Sequence, residues 1–151
     1  MIERVFQLDK VSSMQIGELG KQFYARTGLP GHFKTDTFTT FWNGFLNSGH
    51  AAQWVWKEKG LILGTIGMTL TLSFMDGKVI ADEQFWFVHP HHRGTAGVRL
   101  FVEMRNWAEQ SGAQRILMGK MLAVDPENDK VGKFYERQGF RALQTQYVLD
   151  L

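Results

Sequence analysis

The chain has 151 residues, of which 44% are hydrophobic and 21% charged, with a formal net charge of +2 and no cysteine. Those values describe an ordinary globular chain, most simply one domain over residues 1–151, so disorder is not the default expectation. They also argue against a protein whose main ligand is nucleic acid, and they exclude disulfides, thiolate metal sites and a cysteine nucleophile.

In chain order, Val5-Phe6-Gln7-Leu8 reads as a short first strand. From Ser12 or Ser13 to about Ala25, the spacing of Met14, Ile16, Leu19, Phe23 and Tyr24 suits a helix, which Gly28-Leu29-Pro30-Gly31 ends. Thr35 or Asp36 can cap a second helix, in which Phe38, Phe41, Trp42 and Phe45 follow an i, i+3, i+4, i+7 pattern. Asn47-Ser48-Gly49 closes it. The stretch Ala51–Val88 then reads as an antiparallel meander: Gln53–Trp56, a turn at Lys57–Gly60, a strand over Leu61–Phe74, an Asp-Gly turn at Met75–Lys78, and a strand over Val79–Val88. Leu100, Phe101, Met104, Trp107 and Ala108 share one face of a third helix that stops at Ser111-Gly112. Arg115–Gly119 reads as a buried strand and Asp125–Asn128 as a turn. A short helix with Val131, Phe134 and Tyr135 on one side ends at Gly139, and Phe140–Leu149 closes the chain as a strand or hairpin. One α/β domain with a mixed sheet is the expectation. No run reaches the roughly 18 apolar residues of a membrane span, and Met1-Ile2-Glu3-Arg4 lacks the layout of a secretory leader. A cytoplasmic protein follows as an expectation.

The most informative segment joins the fourth expected strand to the third helix. Phe87-Val88-His89-Pro90 leads into Arg93-Gly94-Thr95-Ala96-Gly97-Val98. A strand that ends in small residues at a helix N-terminus leaves backbone N–H groups pointing one way, where the helix dipole adds partial positive charge. Such a place suits a phosphate. Gly94, Ala96 and Gly97 let a pyrophosphate approach the backbone closely, and Arg93 can add a charge-assisted bond.

This order of elements and its motifs resemble the GNAT superfamily of acetyl-CoA-dependent N-acetyltransferases. Val88-His89-Pro90 followed by Arg93–Gly97 is similar to the family's lead into its pyrophosphate loop, although the loop is one residue shorter than the usual spacing. Asn128 through Phe134-Tyr135 to Gly139-Phe140 is similar to the family's Asn, Phe-Tyr and Gly-Phe pattern on the helix after the fifth strand. The resemblance implies a central, mostly antiparallel sheet with splayed strands four and five and flanking helices. It implies acetyl transfer from acetyl-CoA to a primary amine by direct attack, with acetyl-CoA as co-substrate and no metal. Phe87, Val88, Arg93, Gly94, Thr95, Ala96, Gly97, Val98, Asn128 and Phe134 would bind the donor, with the Val88 N–H stabilising the oxyanion. Tyr135 matches the family tyrosine that protonates the departing sulfur, a role that a phenol's acidity allows; alternatively it only packs beside Phe134. Asn128 can hold the CoA arm, cap the helix, or do both.

For the base, Glu83 stands in an apolar strand and by period two faces the same way as Phe85 and Phe87. Partial desolvation would raise its pKa toward neutrality. Asp82, on the other face, is the rival, and both can instead belong to a polar strand edge. His89, His91 and His92 are loop residues rather than metal ligands, because Pro90 breaks their spacing. Phe23, Tyr24, Phe33, Phe41 and Trp42 are candidates for the acceptor wall, each with a core role as the plainer account. Gln144–Leu149 offers an edge for a homodimer. A CoA-binding or protein-interaction module of the same fold, without catalysis, is the alternative function.

Overall fold

A computed structural model of the chain describes residues 1–122 and 129–151. The chain divides into two compact units, Met1–Gly119 and Lys120–Leu151.

The first unit holds β1 (Ile2–Val5), α1 (Lys10–Tyr24), α2 (Thr35–Asn47), β2 (Ala51–Glu58), β3 (Leu61–Leu72), β4 (Val79–Val88), α3 (Thr95–Gln110) and β5 (Arg115–Leu117). The strands form one sheet in chain order, antiparallel throughout except for the parallel pair β4–β5. Gln53 of β2 accepts a hydrogen bond from the Trp42 indole of α2 (2.8 Å), whereas Trp54 meets Trp107 of α3 edge-on (5.9 Å). Successive strand residues face opposite sides, so α2 covers one face and α3 the other. Ile16 and Leu19 of α1 share the α2-side core with Trp42, Val55, Phe85 and Phe87. On the far side, Leu100, Phe101, Met104 and Ala108 of α3 are buried.

Local chemistry explains most boundaries. Asp9 caps α1 by accepting the Ser12 N–H (2.7 Å). The β2–β3 turn is the pair Lys59-Gly60, both at positive φ (49° and 78°), as a two-residue hairpin requires. The β3–β4 connection is wider than an Asp-Gly turn alone: β3 stops at Leu72 and β4 starts at Val79. Asp76 organises that loop. It accepts from the Lys78 N–H (3.2 Å) and from Arg115 (3.1 Å), and hydrogen bonds from Ser73 and Lys78, with Arg115, hold its carboxyl down at about 2.

Four expectations need correction. The first strand is Ile2–Val5 rather than Val5–Leu8. Leu8 is instead a core residue, and the Asn43 side chain binds both its N–H (2.8 Å) and its carbonyl (3.2 Å), so its backbone has no strand partner to seek. In α2 the core-facing line runs through buried Trp42 and partly buried Phe38 and Leu46, while Phe41 and Phe45 are 68% and 47% exposed. Lys34, not Thr35 or Asp36, holds the N-cap position, without a side-chain cap bond. No strand forms over residues 140–149 either. Its alternation satisfies strand propensity, but a strand also needs a ladder, and Tyr147, Val148 and Leu149 stay exposed.

The second unit contains α4 (Lys130–Arg137). The Asp129 side chain accepts from Gly132 N–H (3.2 Å) and from Lys120 (2.8 Å), and Lys120 holds its carboxyl below the usual range. At the other end the Phe140 N–H returns to the Tyr135 carbonyl and the Gly139 N–H to that of Glu136 (both 3.0 Å), with Gly139 at φ 89°. That paired closure makes Gly139 the stop that the sequence suggests. Tyr135 is buried, with its ring 5.5 Å from that of Phe140 and 6.2 Å from that of Phe134.

Candidate active site

β4 has two different edges. Along β3 it is paired from Val79 to Val88, whereas along β5 it is paired only at Ile80, Ala81 and Asp82. The opening between β4 and β5 begins at Glu83.

A β-bulge lies at the same point. Gly67 opposes Phe85 and Met68 opposes Glu83, so Gln84 is an extra residue on β4. Bulges bend a strand and sharpen its twist, which carries residues 85–88 off the line of β5. The bulge also resets which way the side chains point. Asp82 opposes Thr69, which shares a face with Gly67, Phe85 and Trp42. Asp82 therefore faces the α1–α2 side with Phe85 and Phe87, and Glu83 faces the α3 side. The expectation from period two, with Glu83 beside Phe85, is reversed by one residue.

Glu83 bridges the start of the opening. Its carboxylate accepts the Gly119 N–H (3.0 Å), a side-chain bond where the main-chain ladder has stopped. Burial pushes its pKa up to about 7; the Gly119 bond opposes that rise, and the nearby Asp82 charge adds to it. Burial also raises the Asp82 carboxyl, against a hydrogen bond from Gln84. Among the described residues neither carboxylate has an ion pair. A partly buried carboxylate half-deprotonated near neutrality is suited to accept a proton from an amine.

The other end of the strand carries the donors. The His89 N–H bonds the Leu63 carbonyl (2.8 Å), so His89 is a hydrogen-bonded residue of the β3–β4 ladder. In antiparallel pairs this property alternates, so the Val88 N–H points away from β3, toward the side where pairing with β5 has ended. Phe87 instead directs its ring into the core, 5.0 Å from Phe23 and 5.9 Å from Phe33. After a single 3-10 turn at Pro90–His92, Gly94 is the N-cap of α3 and supplies no side-chain cap. The first helical bond is from the Val98 N–H to the Gly94 carbonyl (3.2 Å), so the N–H groups of Thr95, Ala96 and Gly97 precede the ladder. Ala96 and Gly97 are buried, Gly97 against Trp86, whereas Gly94, Thr95 and Val98 are exposed. Arg93 turns back and donates from Nε to the Val88 carbonyl (3.4 Å), tying the loop to the strand end.

The model of the acetyltransferase (GNAT) family matches residues 20–140. The chain belongs to the GNAT acetyltransferase family. Solved structures share the fold of this GNAT chain at low identity. A Trypanosoma brucei acetyltransferase is 19% identical, with 100% of both chains covered and a TM-score of 0.73. An aminoglycoside N-acetyltransferase bound to a CoA–acetylneamine bisubstrate analogue is 18% identical, with 100% of this chain and 98% of that one covered and a TM-score of 0.72. A predicted acetyltransferase from Clostridium acetobutylicum, solved with acetyl-CoA, is 15% identical over 99% and 96%, with a TM-score of 0.73. No curated protein matches the sequence.

Within the GNAT chain, β4 and its exit loop thus carry Glu83, Asp82, Phe87, Val88 and Arg93–Val98 together in the first unit. Tyr135 and Phe134 stand on α4 in the second unit, and Asn128 lies outside the described residues. Of the acceptor-wall candidates, Phe23 and Phe33 pack on Phe87, Trp42 packs on Phe85, and the Tyr24 hydroxyl donates to the Pro30 carbonyl (2.8 Å). These serve the core and the α1–α2 connection, and only Phe41 of the five is largely exposed. Sequence reading missed Gly119, Gln84 and Trp86. Nothing in their local pattern marks them, because each owes its place to register. No helix among the described residues is long and apolar enough to cross a membrane.

Proposed function

We propose that the protein is an N-acetyltransferase that moves the acetyl group of acetyl-CoA directly to a primary amine. The observation that carries this reading is the edge of β4. A carboxylate with a pKa pushed up to about 7 stands where pairing with β5 ends, the outward N–H of Val88 follows, and an uncapped helix N-terminus ends the same segment.

The thioester carries its acetyl carbon at the end of a long arm with a pyrophosphate at its base. The N–H groups of Gly94–Gly97 and the α3 dipole suit the pyrophosphate, since the Val98 N–H is already bonded to the Gly94 carbonyl. The arm lies as an added strand along the β4 edge beyond its pairing with β5, and the Val88 N–H donates to the carbonyl oxygen as negative charge develops on it. Glu83 takes the proton of the incoming ammonium. It stands five residues from Val88, about 16 Å at roughly 3.3 Å per residue, so the proton travels through water. The free amine nitrogen forms a bond to the acetyl carbon, the carbon–sulfur bond breaks, and Tyr135 protonates the sulfur. One proton from the amine nitrogen restores Tyr135 through solvent, and the net products are the amide, CoA thiol and a proton. Neighbours that hold CoA or acetyl-CoA support the choice of donor. The residue range 1–151 acts as one GNAT domain, matched by the family across both units.

Thiol release from acetyl-CoA with a panel of primary amines tests the reading. Amine-dependent release whose rate rises through pH 7 is expected. Stabilisation by acetyl-CoA without release under any amine would replace it by a CoA-binding module. No stabilisation at millimolar acetyl-CoA would overturn both.

A further inference from the structure

We propose that the outer face of α2 is the surface through which the chain pairs with a second copy of itself. The two α2 helices pack antiparallel about a twofold axis that passes between residues 42 and 43. This contact is independent of acetyl transfer and lies apart from Glu83, which faces the α3 side.

The residues that α2 turns to solvent include Thr37, Thr40, Phe41, Gly44, Phe45 and Ser48. Their spacing of i, i+3, i+4, i+7, i+8 and i+11 makes one continuous helical stripe. No Asp, Glu, Lys or Arg occurs between Asp36 and Lys57. The outer face of a surface helix ordinarily carries charge, as that of α3 does with Arg99, Glu103, Arg105 and Glu109. In α2 the core takes Trp42, and two further aromatic rings, Phe41 and Phe45, stand on the uncharged outer face.

A second copy is the occupant because the stripe complements itself. With the axis between residues 42 and 43, Phe41 meets the partner's Gly44, Phe45 meets the partner's Thr40, and Thr37 meets the partner's Ser48. Each ring lies on a small residue, and every position of the stripe finds a mate. A Cβ added at Gly44 would meet nothing within 4 Å, so a ring has room above it. Gly44 and both Phe also line a groove of about 530 Å³, which Thr69, Leu70 and Thr71 of β3 complete on the other side. Self-pairing there brings no like charges together, and a strongly charged partner would find nothing to pair with. Phe74 is 98% exposed and follows Thr71 by three residues, so it stands within about 10 Å of the groove. At about 200 Å² per ring, the exposed parts of Phe41, Phe45 and Phe74 supply roughly 400 Å² of apolar surface per copy. The apolar share of a standard interface is about 450 Å² per partner, so the patch has the size that a dimer needs.

Sedimentation equilibrium of the full chain over a range of concentrations tests the pairing. A dimer at about 100 μM that dissociates on dilution is expected. Gly44→Phe sets ring against ring near the axis and should raise the dissociation constant about tenfold or more. Circular dichroism and melting of the dilute variant should match or exceed wild type, since the position is open and Gly is the poorer helix former. Adding Phe41→Ala to that variant exchanges the two roles, one ring again meeting one small residue. The double variant should regain a dissociation constant within about threefold of wild type. A monomer at every concentration would overturn the proposal. A dimer that Gly44→Phe leaves intact would place the contact elsewhere, and overturn it too. Dissociation by Gly44→Phe that Phe41→Ala does not reverse would overturn the antiparallel pairing.

Discussion

The two edges of β4 were built from one strand and serve opposite ends. Toward β3, nine residues of β4 are held in a ladder, and Gly67 lets the Phe85 ring lie where a Cβ would stand 2.3 Å from it. Toward β5, pairing covers three residues and then stops, which leaves Glu83 bonded to Gly119 and the Val88 N–H beyond it directed outward. The closed edge fixes the position of every group on the open one. A site that must admit a thioester needs such asymmetry, because a donor already in a ladder has nothing left to offer an oxyanion.

Mutations on the open edge should therefore change rate, and mutations on the closed edge should change stability. The largest effect is expected from Glu83→Gln, which keeps an acceptor for Gly119 and removes the base. Its kcat should fall about a thousandfold, with the rise of rate through pH 7 abolished. The same variant sharpens the comparison through stability. The native Glu83 pKa of about 7 lies above its ordinary 4.5, so the folded protein binds the extra proton between those values. Its stability is fully present below about pH 4.5 and falls as pH rises to about 7, by roughly 3 kcal/mol at about 1.4 kcal/mol per unit. Thermal melts of Glu83→Gln should lack that decline and sit above wild type at pH 8. Equal melts at pH 8 would mean that the carboxylate is not strained by burial.

Val88→Pro comes next. It removes an N–H that β3 does not use, so circular dichroism should show the fold retained while kcat falls a hundredfold or more. An unchanged rate would remove Val88 from the reaction. Tyr135→Phe should slow turnover by roughly a hundredfold, the low end for a general acid, while acetyl-CoA affinity measured by calorimetry stays nearly the same. On the closed edge, Gly67→Ala should destabilise by about 1–3 kcal/mol in a denaturant titration, because the new methyl meets the Phe85 and Trp42 rings. A loss of rate larger than its loss of folded protein would blur the division between the edges.

Much of this frame was legible in the sequence. Turn chemistry at Lys59-Gly60, the apolar face of α3 and the Gly139 stop are local, and local rules found them. The Arg93–Val98 turn into a helix was legible for the same reason. What escaped depends on partners far along the chain. Leu8 reads as strand until Asn43 takes both its backbone groups, and Phe41 reads as core until the sheet leaves no surface for it. Glu83 stands out in the sequence as a carboxylate within an apolar strand, but its direction does not follow, since alternation cannot see a bulge that only the β3 register creates.

Gln84 has a wider consequence. It acts as a dislocation does in a crystal: one surplus unit that spoils the match of neighbouring rows and keeps a seam from closing. A chain without Gln84 would keep the face of every other β4 residue, yet would straighten the strand and let β5 zip further along it. Hydrogen exchange at the Val88 amide should then slow, and acetyl transfer should fade as the protein grows more ordered. On the proposed reading, acetyl transfer depends on a fault that folding preserves, and a fully regular sheet would be an inert one.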